Sequence, residues 1–150
     1  MKNKILLYFL GFATMLYFSQ CGGSDPGPAF PMQEELDKLK NITWQVDAVS
    51  KNGSITNEFD DFTIQFRGTP DGENFQGTYS TTNGQDLWNT SGTWTFSDSS
   101  PLNTLMFDEE LSVNYLNSGN RLRLSFIKNP PDGRLLRLEG DWVFDLVPQN

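Results

Sequence analysis

Arg121-Leu122-Arg123-Leu124-Ser125-Phe126 alternates polar and apolar residues without interruption. Side chains of an extended strand point alternately to opposite faces, so this pattern wets Arg121, Arg123 and Ser125 and buries Leu122, Leu124 and Phe126. A strand with one dry face needs partners, and the flanking sequence supplies them. Downstream, past a loop from Asn129 to Gly133 with two prolines, Leu136, Leu138, Gly140, Trp142, Phe144 and Leu146 share one face. Upstream of the turn Ser118-Gly119-Asn120, Leu111, Val113 and Tyr115 form one short strand. Leu105 and Phe107 form another, on the far side of Asp108-Glu109-Glu110.

The same period of two runs back through the chain. Gly92, Trp94 and Phe96 alternate with Thr93, Thr95 and Ser97, and Phe75, Gly77 and Tyr79 with Gln76, Thr78 and Ser80. Phe62, Ile64 and Phe66 alternate with Thr63, Gln65 and Arg67. Ile42, Trp44, Val46 and Ala48 alternate with Thr43, Gln45 and Asp47 before a turn at Asn52-Gly53. Ahead of these, Leu36 and Leu39 stand three apart among Glu34, Glu35, Asp37 and Lys38, which predicts a short helix within Gln33 to Lys40. The chain is therefore all-β, with about eight antiparallel strands joined by hairpin-length loops. An up-and-down meander of that kind removes both of its edges by closing into a small barrel; a sandwich, which needs a long crossover, is the alternative.

Two strands open on the same pattern, Gly92-Thr93-Trp94-Thr95-Phe96 and Gly140-Asp141-Trp142-Val143-Phe144. A glycine two residues before an inward tryptophan lets the strand coil, and the indole is expected to fill the space left by the missing side chain. From about Leu39 to Val147 the chain resembles the lipocalin-like lipoproteins of Bacteroidetes. The resemblance rests on Trp44, on the loop Thr81-Thr82-Asn83-Gly84-Gln85-Asp86-Leu87-Trp88 feeding Gly92, and on the closing strand through Trp142. Where true lipocalins carry a glycine two residues before the first-strand tryptophan, this chain has Ile42. The resemblance implies a small calyx with a short helix across one end. A barrel of eight strands is just wide enough to be filled by its own side chains or to hold one small ligand. Trp44, Phe62, Phe66, Phe75, Tyr79, Trp94, Phe96, Phe107, Tyr115, Phe126, Trp142 and Phe144 all fall on the inner face, which predicts a plugged interior.

The N-terminus has the parts of an export signal: Lys2 and Lys4, an apolar run from Ile5 to Phe18, then Ser19-Gln20-Cys21. That run is short of the roughly 20 residues a bilayer span needs. It resembles a bacterial lipoprotein signal, in which the cysteine is acylated, palmitate included, and becomes the new N-terminus. The expectation is a signal peptide at 1–20, lipidation of Cys21, a flexible tether over 21–32 rich in Gly, Pro and Ser, and a barrel domain over 33–150. The protein would then be an outer membrane lipoprotein, periplasmic or on the cell surface, with the membrane as its first partner.

Charge and composition exclude several classes of function. The chain carries 11 Lys+Arg against 19 Asp+Glu; without Lys2 and Lys4 the balance is 9 against 19, a net charge of −10. So acidic a domain repels phosphate backbones, so nucleic acid is not an expected partner. There is no histidine, which removes the Ser-His-Asp and Cys-His nucleophile systems and imidazole-based zinc sites. No cofactor and no metal are expected. Asp71-Gly72-Glu73-Asn74 has oxygen ligands without the spacing of a calcium loop, and reads as a hairpin turn.

The expected activity is binding rather than catalysis. Trp88 is off the strand pattern beside Asp86, on a loop where an aromatic can act as a lid, as a platform for a sugar ring, as an anchor for a partner protein or as a plug over the barrel end. Tyr79 and Tyr115 are the hydroxyl-bearing rings of the inner face, and each needs a partner if buried. These four residues are the candidate site for a small hydrophobic molecule or a saccharide at the barrel mouth. An interaction module for another envelope protein is the alternative. A carboxylate glycoside hydrolase would need two of Asp60, Asp61, Asp108, Glu109 and Glu110 to converge.

Overall fold

The computed structural model describes residues 31–71, 74–84, 86–97, 102–129 and 137–150. The expected signal peptide, Cys21, most of the tether, Gly72 and Glu73 of the acidic turn, and Leu136 lie outside the described residues. A helix, α1, covers Pro31–Leu39. Nine strands follow among the described residues: β1 (Thr43–Lys51), β2 (Ser54–Thr56), β3 (Thr63–Asp71), β4 (Asn74–Thr82), β5 (Ser91–Phe96), β6 (Thr104–Phe107), β7 (Leu111–Asn117), β8 (Leu122–Lys128) and β9 (Gly140–Pro148). Among the described residues all strand pairs are antiparallel, each strand from β3 to β8 pairs with its successor, and β1 pairs with both β3 and β9. The result is a closed eight-stranded barrel with up-and-down connections, in which β2 is a short flap hairpinned onto β1.

Helix α1 begins two residues before the expected Gln33, with Pro31 in the first turn, where a missing N–H costs nothing. It ends as Asn41 takes a left-handed backbone, φ 62°. Leu36 and Leu39 are fully buried against the barrel. The terminal carbonyl of Leu39 accepts the Trp44 indole N–H at 3.3 Å, so the first strand supplies the partner this helix end requires.

The clean alternation of β8 is realised: Leu122, Leu124 and Phe126 are buried, and outside the barrel Arg123 forks onto Asp145 of β9 at 2.7 and 3.0 Å. In β1 the alternation breaks. The register with β9 shifts between Val46 and Ala48, and Val49 is buried where the sequence pattern places Ala48. A bulge inserts one residue on one side of a ladder, and because the side-chain period is two, that residue moves everything after it to the other face.

The interior is filled by rings in contact. Phe62 lies 5.1 Å from Phe144, Phe66 5.3 Å from Trp94, Phe75 4.6 Å from Trp94 and Tyr79 4.9 Å from Phe107, centroid to centroid. Phe59, which the alternation does not reach, is buried beside Trp142 and Phe144. The bond from Phe62 N to Phe59 O, 2.9 Å, closes a turn that drives both rings inward.

The glycine–tryptophan strands use their space differently from the expectation. At Gly140, φ +134°, the place of a Cβ is taken by the Asn52 carboxamide, and Asp141 N donates to Asn52 Oδ1 at 2.9 Å. The Trp94 indole fills the gap at Gly77, its cross-strand neighbour on β4, rather than the one at Gly92. Side chains two apart on one strand sit side by side, so it is the facing strand that closes such a gap.

Candidate functional site at the barrel end

The end of the barrel away from α1 carries the loop after β4, the turn between β6 and β7 and the end of β8. Both feet of the loop are pinned by Thr81: its N–H donates to Thr90 O at 2.9 Å, and its buried hydroxyl donates to Asn89 O at 2.7 Å. Gly84 O accepts the N–H groups of both Leu87 and Trp88 at 3.2 Å, and this single turn swings Leu87 and Trp88 into the barrel. Trp88 is 4% exposed, edge-on to Phe126 at 4.9 Å, to Phe107 at 5.4 Å and to Phe144 at 5.6 Å. It plugs the end. Its buried Nε1–H has no hydrogen-bond partner among the described residues.

The β6–β7 turn is left-handed at Asp108, φ 51°, and Glu109, φ 62°, and Glu110 N closes it onto Phe107 O at 3.0 Å. This geometry folds the Asp108 carboxylate back over β5, into the space a side chain at Gly92 would need; a Cβ there would stand 2.7 Å from Asp108 Cγ. Asp108 Oδ1 accepts Thr93 N–H at 2.7 Å, and Oδ2 accepts the Tyr79 hydroxyl at 2.6 Å and Asn89 Nδ2 at 2.9 Å. Burial pushes the Asp108 carboxyl up, but the bonds from Tyr79, Asn89 and Thr93 outweigh it and hold the group below the usual carboxylate value. Burial, with the anion beside it, pushes the Tyr79 phenol well above its ordinary value.

Around this network lies an open groove of about 380 Å³. Asp86, Asn89, Glu110, Leu111, Ile127 and Lys128 are among the residues that line it. No family model, curated protein or solved structure matches the chain. The groove is therefore read from its own geometry.

Three of the four candidate site residues, Tyr79, Asp86 and Trp88, line this groove. Tyr115 does not. It is at the helix end, where its hydroxyl points to Glu35 Oε2 at 3.4 Å, and burial and that anion raise its phenol too. Of the candidate carboxylates, Asp108 and Glu110 line the groove and Asp60, Asp61 and Glu109 do not. Among the described residues no group of three acidic or sulfur side chains is placed to hold a metal ion, and no helix is long and apolar enough to cross a membrane. Asn89, Lys128 and Ile127 are groove residues that sequence reasoning misses. Asn89 follows Trp88 directly, but the other two sit at the far end of a strand whose approach to the loop is a product of barrel closure.

Proposed function

We propose that the protein is an exported lipoprotein, tethered through acylated Cys21, whose barrel binds a small molecule in the groove at its end. The lipocalin-like lipoproteins are the family we propose for it, with the outer membrane as its location. The observation that carries the binding reading is the contrast between a barrel interior filled by rings and a groove lined by Asp86, Glu110, Asn89 and Ile127, of which Ile127 is 62% exposed. A ligand is then held at the rim and not swallowed. We propose binding rather than catalysis because Asp108 is engaged by three donors. Ligand-observed NMR against a library of small metabolites tests the site: hits that vanish in Ile127→Arg sustain it, and a parent without hits overturns it. Mass spectrometry of the membrane-extracted protein tests the tether. A lipid-modified Cys21, with membrane attachment lost in Cys21→Ser, is expected; an unmodified soluble chain overturns it.

A second reading, an interaction module, is favoured by one feature. Leu116 is 69% exposed on the outer wall of β7, and Ile127 is similarly open on β8. Cross-linking in intact envelopes, lost in Leu116→Lys, would support it.

A further inference from the structure

We infer that a cleft between β7 and β8 takes an extended, basic segment of a partner polypeptide as an added strand, an inference that rests on the interaction reading and gives it a site. Strand β7 pairs with β6 as far as Leu111, and β8 pairs with β9 as far as Lys128, yet the ladder between β7 and β8 ends at Asn114 and Ser125. Beyond that pair the two strands part. An open cleft of about 600 Å³ runs along them, with Glu110, Leu111 and Ser112 on one side and Phe126, Ile127 and Asn129 on the other.

Two bonds fix which main-chain groups face that cleft. Successive residues of an antiparallel strand turn both their N–H and C=O to one neighbour and then to the other. Tyr115 N donates to Asn103 O at 2.8 Å on the β6 side, so Val113 and Leu111 also face β6, and Asn114 and Ser112 face β8. Ser118 N donates to Arg121 O at 3.0 Å across the β7–β8 turn, which puts the mutually bonded pairs at Leu116 with Arg123 and Asn114 with Ser125. The next pair of that series is Ser112 with Ile127, and there the ladder has stopped. Each of the two aims an N–H and a C=O into the cleft. Main-chain donors and acceptors along a strand edge are matched by another extended chain, which is how segments add to sheets. The parted stretch, 111–113 facing 126–128, is about 10 Å long, room for a segment of about four residues. Ile127, 62% exposed, and Val143 offer apolar contact to its side chains. Among the described residues the charged side chains of the cleft are Glu110 and Asp141, both exposed, so the complementary segment carries lysine or arginine.

Selection of a displayed library of random heptapeptides against the full-length protein in detergent tests the inference. Sequences with alternating apolar residues and at least one lysine or arginine are expected to be enriched. In the free protein the Ser112 and Ile127 amides should exchange quickly with solvent, and an enriched peptide should slow both by about tenfold or more. N-methylation of the peptide at alternate residues removes its main-chain donors without touching the protein, and should weaken binding about tenfold. Ser112→Pro removes the N–H aimed at the cleft and spares the bonds to β6, with a similar expected loss. Glu110→Gln and Asp141→Asn, at the surface, should each weaken binding roughly threefold, which keeps a test on the protein side if the proline variant misfolds. Slow exchange of both amides in the free protein, a selection without enrichment, or binding indifferent to N-methylation overturns strand addition. Cross-linking that is still lost in Leu116→Lys would then assign the interaction reading to the outer wall, because Leu116 does not line the cleft.

Discussion

Asn52 and Asp108 occupy matching places on opposite sides of the barrel. Each is the first residue of a hairpin turn and is left-handed, φ 50° and 51°. Each side chain fills the space beside the glycine that opens a Gly-x-Trp strand, Gly140 or Gly92. Each accepts the N–H of the next residue, Asp141 at 2.9 Å or Thr93 at 2.7 Å, and returns its own N–H to that residue's carbonyl at 2.8 or 2.9 Å. The pairs β9–β1 and β5–β6 are half a turn apart around the closed sheet. Since an amide performs at Asn52 what a carboxylate performs at Asp108, closing the turn requires an acceptor and not a charge. The charge at Asp108 serves Tyr79 and Asn89.

Asp108→Asn should therefore be milder than Asp108→Ala. The amide keeps an acceptor for Thr93 but presents a donor to Tyr79 and Asn89. We expect a loss of about 1 kcal/mol for Asn and about 2 kcal/mol for Ala. Urea unfolding with an unchanged m-value measures both.

Gly92→Ala should expel the carboxylate and cost at least as much as Asp108→Ala. In an Asp108→Ala background the added methyl has room, so the second substitution should be cheaper by about 1 kcal/mol or more. A double-mutant cycle reads this coupling, and strict additivity would mean that the overlap is relieved elsewhere.

Stability should fall at both ends of the pH scale. The folded-state pKa of Asp108 lies below its ordinary 3.8, so its contribution is complete above that value and is lost as pH falls through the lower, folded value. Tyr79 and Tyr115 are raised above 10.0, so they favour the folded state at neutral pH, and that contribution declines once pH exceeds 10.0 and the unfolded chain's phenols ionise. Tyr79→Phe and Tyr115→Phe should each flatten the alkaline limb, followed by chemical denaturation across pH.

Val49→Ala should cost about 1.5 kcal/mol, the worth of two buried methyl groups, while Ala48→Ser should stay within about 0.5 kcal/mol, as a surface change does. Equal effects would place the bulge elsewhere in β1.

That contrast marks where the sequence stops being legible. Period two identifies Leu122, Leu124 and Phe126 as inward because β8 runs without a fault, and the hairpin-length loops imply the meander and its closure. A bulge leaves no mark in composition: Val46-Asp47-Ala48-Val49 reads equally well in either phase, and pairing with β9 decides between them. Phe59 has no alternating partner because it belongs to a turn, with Phe62 three residues on. At the site, Trp88 and Asp86 stand out by being off pattern. The Asp108 network does not, because Tyr79, Asn89 and Thr93 come together only when three neighbouring strands are laid side by side.

Strand β7 has a polarity of its own. Leu111, at its start, lines the groove; Asn117, at its end, donates to Lys38 O of α1 at 3.3 Å. Those two points are about 20 Å apart along an extended strand. The C-terminal end of α1 thus sits at the pole opposite the groove. A molecule in the groove and one against that helix end are kept apart by the height of the barrel, which the length of its strands sets.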